Sequence, residues 1–227
     1  MFLKPQSGWT NANQTAKLLS SNGAGLGPVS VSNNTVAAGA SKLSQSRGAI
    51  YVFVRPTQGW RNMTQTAILS ASDGKANDDL GSSISNTVDT IIAGAPGKNH
   101  GQGSVYVFVR PAAGWSNITE NAQLGIASSK QAPFFGLSVS ISHDGSTILG
   151  GAPTQLVGSR GQGAVYSFTK PSGGWHTTSA PHGRLGVQNG ALFGTSTSIS
   201  DKIVVVGADG QSLGNSSPGA AFVFGSQ

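Results

Sequence analysis

The chain has 227 residues, of which 37% are hydrophobic and only 10% charged, with 33 glycines and no cysteine. A chain of this length can bury a large core without a disulfide framework, and the regular recurrence of Val, Ile, Leu and Phe excludes a disordered polymer. The formal net charge is +6, but the Lys and Arg residues are dispersed, with no run of three; this argues for solubility rather than for a nucleic-acid partner.

Residues 2–20 hold two pieces that recur later. Phe2-Leu-Lys-Pro-Gln-Ser-Gly-Trp9 matches Phe53-Val-Arg-Pro-Thr-Gln-Gly-Trp60 almost position by position. Thr15-Ala-Lys-Leu-Leu19 returns as Thr66-Ala-Ile-Leu69, as Asn121-Ala-Gln-Leu124 and more faintly near Arg184-Leu185. From residue 26 onward a unit of about 55 residues is written four times, the signature of a repeat architecture. Each unit opens on an apolar residue and glycine: Leu26-Gly27, Leu80-Gly81, Phe135-Gly136 and Phe193-Gly194. A small apolar step follows, at Gly39-Ala40-Ser41, Gly94-Ala95-Pro96, Gly151-Ala152-Pro153 and Gly207-Ala208-Asp209. Then comes a glycine-led aromatic run, at Gly48–Phe53, Gly103–Phe108, Gly163–Phe168 and Gly219–Phe224.

Each unit predicts four strands. Residues 138–142 and 196–200 alternate with the period of two that a strand imposes, and His143-Asp144-Gly145 and Asp201-Lys202 break these runs as hairpin turns do. Apolar runs at 90–93 and 203–206 come second, the aromatic run third, and Thr-Ala-x-Leu fourth. No segment carries a helical period. Four consecutive antiparallel strands per repeat make the blade of a β-propeller. The expected fold is therefore all-β, a β-propeller of four-stranded antiparallel blades forming one domain over residues 1–227, with blades starting near residues 26, 80, 135 and 193. A β-helix is the structural alternative, but its coils are shorter. The last unit holds only three strands, and residues 2–20 supply an outer strand with no blade of its own. The N-terminal strand is thus expected to complete the C-terminal blade, within one chain or, by strand exchange, between chains.

The Phe/Leu-Gly step followed by Gly-Ala-Pro resembles the FG-GAP repeat of integrin α-subunit propellers and of many bacterial surface proteins, over essentially the whole chain. The resemblance implies a non-enzymatic protein, extracellular or at the cell surface. Its ligand face would be built from the second-to-third connections (residues 41–48, 97–102, 154–162 and 209–218) and the fourth-to-first connections (21–25, 72–79, 129–134 and 187–192). Family members usually have seven blades, so this chain is also compatible with being part of a longer protein. Integrin-type repeats hold calcium in Asp-rich loops between the first and second strands. The corresponding turns here are Asn33-Asn34, residues 86–89, residues 143–146 and Asp201-Lys202, which are short and poor in carboxylates, so inherited calcium binding is not expected. Asp73, Asp78 and Asp79 share another loop and are the residual metal candidates.

Three functions compete. The first is a binding or adhesion module whose loop face carries Lys42, Arg47, Lys98, His100 and Arg160; their positive charge favours an acidic glycan or an acidic protein surface. The second is a structural subunit that assembles through blade or strand exchange into a larger ring or polymer. The third is a lectin with one sugar platform per blade at Trp9, Trp60, Trp115 and Trp175, set against the alternative that these indoles are core. Catalysis is not expected. His100, His143, His176 and His182 occupy non-equivalent turns without metal-ligand spacing, and no nucleophile elbow is present. No cofactor and no membrane insertion are expected, since no apolar run approaches the ~18 residues of a membrane span. Met1–Pro5 is not built as a signal peptide, so export would require a signal already removed or lying outside this chain. Five Asn-x-Ser/Thr sequons stand at Asn13, Asn33, Asn62, Asn117 and Asn215.

Overall fold

A computed structural model of the chain describes residues 13–127, 133–157, 160–187, 192–200, 202–210 and 218–225. A short strand, β1 (Leu18–Leu19), stands ahead of four antiparallel sheets. The first contains β2 (Val29–Ser32), β3 (Thr35–Gly39), β4 (Ile50–Val54) and, after the short β5 (Met63–Thr64), β6 (Ala67–Ser70). The second contains β7 (Ser83–Asn86), β8 (Thr90–Ala95), β9 (Ser104–Val109) and, after β10 (Ile118–Thr119), β11 (Ala122–Leu124). In the third, β12 (Val139–Ile141) and β13 (Thr147–Ala152) lead through a small hairpin, β14 (Leu156–Val157) and β15 (Arg160–Gly161), to β16 (Ala164–Thr169) and β17 (Gly183–Leu185). The fourth contains β18 (Phe193–Ser200), β19 (Ile203–Ala208) and β20 (Ala220–Gly225). The predicted four-strand order holds in the first three sheets, and the fourth has three strands among the described residues.

The continuous apolar character of the third strands has a simple cause. A strand sends successive side chains to opposite faces. Here the inner sheets are covered on both, so most positions of their third strands are closed to water. Ala37, Ile50, Val52 and Leu69 of the first sheet pack with Leu80, Ile91, Tyr106 and Phe108 of the second. Ile92, Val105, Val107 and Leu124, on the other face of the second sheet, pack with Phe135, Ile148 and Phe168 of the third. Leu149 and Val165 then meet Phe193 and Val206 of the fourth.

The apolar residue that opens each unit is the wedge in these gaps. Leu80, Phe135 and Phe193 are fully buried, and each bridges in parallel to the glycine before the preceding sheet's third strand: Gly48↔Leu80, Gly103↔Phe135 and Gly163↔Phe193. The glycine of the Gly-Ala step lets the backbones meet. A Cβ on Gly94 would lie 1.8 Å from the Gly136 carbonyl oxygen, so any side chain there would force two sheets apart. Polar ties repeat at the same junctions. Ser83 Oγ donates to Gly136 O and Ser138 Oγ to Gly194 O, while Ile68 N–H donates to Asn117 Oδ1 and Lys17 N–H to Asn62 Oδ1. Two of the sequon asparagines are thus built into the contacts between neighbouring sheets.

The outer strand predicted at 2–20 falls outside the described residues up to residue 12. Beyond it, β1 pairs in parallel with β5, and no sheet is closed on itself among the described residues.

Candidate functional site

The second-to-third and fourth-to-first connections meet on one side of the sheets. In the first two sheets the former are tight turns, Leu43–Ser46 and Lys98–Gly101, with left-handed residues at Ser44, Gln45, Asn99 and His100. These turns expose carbonyls that the incoming connection caps. Asn77 N–H donates to Gln45 O at 3.0 Å and Asp79 N–H to Ser46 O at 2.8 Å. One unit later Phe134 N–H donates to Gly101 O at 2.9 Å. In the third sheet the same connection is the β14–β15 hairpin instead. The scaffold repeats while the loops on it diverge, the arrangement in which loops carry function.

The five cations singled out on this face have different surroundings. Lys42 has its side chain 78% exposed and its Nζ 2.7 Å from Asp79 Oδ1. Arg47 is exposed beside Gly74, and His100 is exposed at the tip of its turn. Arg160 pairs with Val157 across the small hairpin. Lys98 is a correction. Its side chain is only 3% exposed, and its Nζ donates to Asp73 O at 2.9 Å and lies 3.0 Å from both Asp73 Oδ2 and Asp78 Oδ2. Pairing inside the fold, rather than projection into solvent, makes burial of this ammonium tolerable.

The same contacts engage the three carboxylate candidates. Asp73 and Asp78 are held by Lys98 and Asp79 by Lys42, so ammonium groups stand where a cation would. Among the described residues no group of three or more His, Asp or Glu is placed to hold a metal. Tyr106 Oη donates to Asp73 Oδ1 at 2.7 Å. Burial pushes the Asp73 carboxyl up, but the Tyr106 and Lys98 hydrogen bonds together outweigh it and hold the group below the usual aspartate value. Burial, reinforced by the Asp73 carboxylate, drives the Tyr106 phenol far above its ordinary range.

The aromatic platform is a second correction. Trp115 and Trp175 are 7% and 9% exposed, each in the cluster between its own sheet and the preceding one, so neither offers a ring face to a sugar. Trp60 is half-buried against the first sheet, and Trp9 lies outside the described residues. Reading only the second-to-third connections missed Lys75. It is exposed in the 72–79 connection that caps the first turn; its backbone N–H donates to Asp78 Oδ2, but its ammonium, like the Arg47 guanidinium, has no ion pair with a carboxylate among the described residues.

These repeated wedges, glycine contacts and loop pairs are what a family comparison has to account for. Residues 63–108 match the FG-GAP repeat. The matched span runs from β5 to β9 and contains both Leu80-Gly81 and Gly94-Ala95-Pro96. Outside that span, similar apolar-Gly and Gly-Ala steps stand at Leu26-Gly27, Phe135-Gly136 and Phe193-Gly194 and at Gly39-Ala40, Gly151-Ala152 and Gly207-Ala208. No curated protein matches the chain. No helix among the described residues is long and apolar enough to cross a membrane. The loops around the matched unit carry exposed Arg47 and Lys75 on connections joined by backbone hydrogen bonds.

Proposed function

We infer that this chain is a non-enzymatic binding module of the β-propeller type that works outside the cell or at its surface. Its loop face takes an acidic glycan or an acidic protein surface. The observation that carries this reading is the FG-GAP match at 63–108 together with exposed Arg47 and Lys75 on two connections joined by backbone hydrogen bonds. Lys42 and His100 stand on the same set of connections, whereas buried Lys98 serves as the internal tie beneath them. Attraction between such exposed charges and an acidic surface weakens as salt rises.

The test is binding to an immobilised sulfated polysaccharide at several salt concentrations. The Arg47→Glu/Lys75→Glu double variant is expected to bind at least about tenfold more weakly with a shallower salt dependence, and its circular dichroism is expected to match the unmodified chain, since neither side chain is core. Unchanged binding by the folded variant would overturn the assignment of the site to this face.

A further inference from the structure

Among the described residues the junction between neighbouring sheets is built three times, and the two halves of a further junction are exposed, one on the fourth sheet and one on the first. The outgoing half belongs to the fourth sheet. Gly207 is equivalent to Gly39, Gly94 and Gly151, where a Cβ would meet the next sheet's glycine carbonyl at 1.9, 1.8 and 2.1 Å; at Gly207 it meets only side chains of its own sheet. Gly219 is equivalent to Gly48, Gly103 and Gly163, each bridged by the next sheet's wedge residue, but no wedge bridges to it among the described residues. Ser196 matches the serines whose hydroxyls donate across the junction, Ser83 and Ser138, and it is exposed. Val223 is 69% exposed, whereas its counterparts Val52 and Val107 are fully buried.

The incoming half belongs to the first sheet. Val29 and Val31 are 68% and 66% exposed, while their third-sheet equivalents Val139 and Ile141 are each 7% exposed under the second sheet. Beside them lies an apolar groove of about 640 Å³ lined by Ala16, Leu18, Val36 and Trp60 among others. β1 already sits where a preceding sheet's fourth strand belongs. Leu18↔Met63 repeats the pairing Leu69↔Ile118, and Lys17 N–H to Asn62 repeats Ile68 N–H to Asn117. Further, Tyr51 Oη to Asn22 repeats Tyr106 Oη to Asp73. β1 is therefore placed as the fourth strand of a preceding sheet, and among the described residues the fourth sheet has three strands and lacks a fourth.

We propose that the occupant is a second copy of this chain, joined head to tail so that the fourth sheet of each copy fills the groove on the first sheet of the other. Both half-junctions are open among the described residues, whereas two copies would close a ring of eight sheets, within the size range of propellers. The register follows from Ile50↔Leu69 and Tyr51↔Ile68: Ala221 pairs with Leu18 of the second copy and Phe222 with its Lys17. The second copy's Leu26 wedges against Gly219, and the carbonyl of its Gly27 accepts from Ser196 Oγ. A heterologous contact of this kind closes by symmetry at two copies and leaves no edge for a third.

Light scattering with size exclusion on the 227-residue chain at tens of micromolar tests this. The expected particle has twice the 22.9 kDa mass of one chain. Val223→Glu places a charge on a side chain already exposed in the single chain, so that variant is expected to fold and to run as a monomer, with self-affinity weakened at least about a hundredfold. The Val29→Lys/Val223→Glu double variant juxtaposes opposite charges at both junctions and is expected to recover the dimer. A 22.9 kDa particle for the unmodified chain would overturn the proposal, with closure inside one chain indicated if Val223→Glu then lowers Tm. A polydisperse polymer, or a dimer indifferent to Val223→Glu, would overturn it as well.

Discussion

Phe135→Ala removes the wedge between the second and third sheets. The ring is fully buried and packs edge-on to Tyr166 at 5.9 Å and tilted against Phe168 at 6.0 Å. Its far edge occupies the space a side chain at Gly150 would need, with Cε2 only 2.4 Å from where that Cβ would be, so Gly150 offers no side chain to fill the void on that edge. Phe→Ala in such a site costs about 3–5 kcal/mol, and limited collapse puts this case near the upper half of that range. At about 4 kcal/mol, a chain of this size loses about 8–16 °C in Tm. Phe135→Leu is the matched control, because Leu80 fills the same place one unit earlier with full burial. It is expected to cost about 1–1.5 kcal/mol. Urea titration and thermal melts followed by tryptophan fluorescence read both, with Trp115 and Trp175 buried on either side of the second sheet as reporters. A Phe135→Ala variant within about 1 kcal/mol of the unmodified protein would refute the wedge role, since full burial of such a ring alone accounts for more than that.

Lys98→Met leaves the Asp78 carboxylate, 7% exposed, without its counter-charge and is expected to cost about 3 kcal/mol in urea titration, whereas Lys42→Met, at a pair exposed on one side, is expected to change little. Asp73 titrates below its unfolded value of 3.8, so the stability it contributes is complete above that pH and is lost as pH falls through the lower folded value. The urea midpoint of the unmodified chain is therefore expected to exceed that of Asp73→Asn by a constant amount at neutral pH and to converge with it in acid. Asp144, held down to about 2 by hydrogen bonds from Ser142 and Ser146, contributes an acid limb of the same sign to both proteins and cancels in the difference. Divergence rather than convergence in acid would contradict the assignment.

Much of this was legible in the residues alone, because a repeat states each local rule several times. Alternation at 138–142, the apolar runs at 90–93 and 203–206, and the returning Thr-Ala-x-Leu placed the strands of the sheets within a residue or two. The Leu/Phe-Gly and Gly-Ala steps marked the junctions, since only a large wedge and a missing Cβ satisfy a contact where backbone meets backbone. What a linear pattern does not contain is the identity of the neighbour across a gap. Lys98 and Lys42 look alike as loop cations, yet one meets Asp73 and Asp78 in a closed pocket and the other points outward, because their partners come from a connection some 20 to 40 residues away. Trp60, Trp115 and Trp175 share a motif and differ in burial for the same reason: among the described residues the last two have a preceding sheet to cover them and the first does not. Sequence periodicity determined the unit and its strands. Which copies of that unit have both neighbours is a property of the assembled sheets, and burial, charge pairing and the open half-junctions all follow from it.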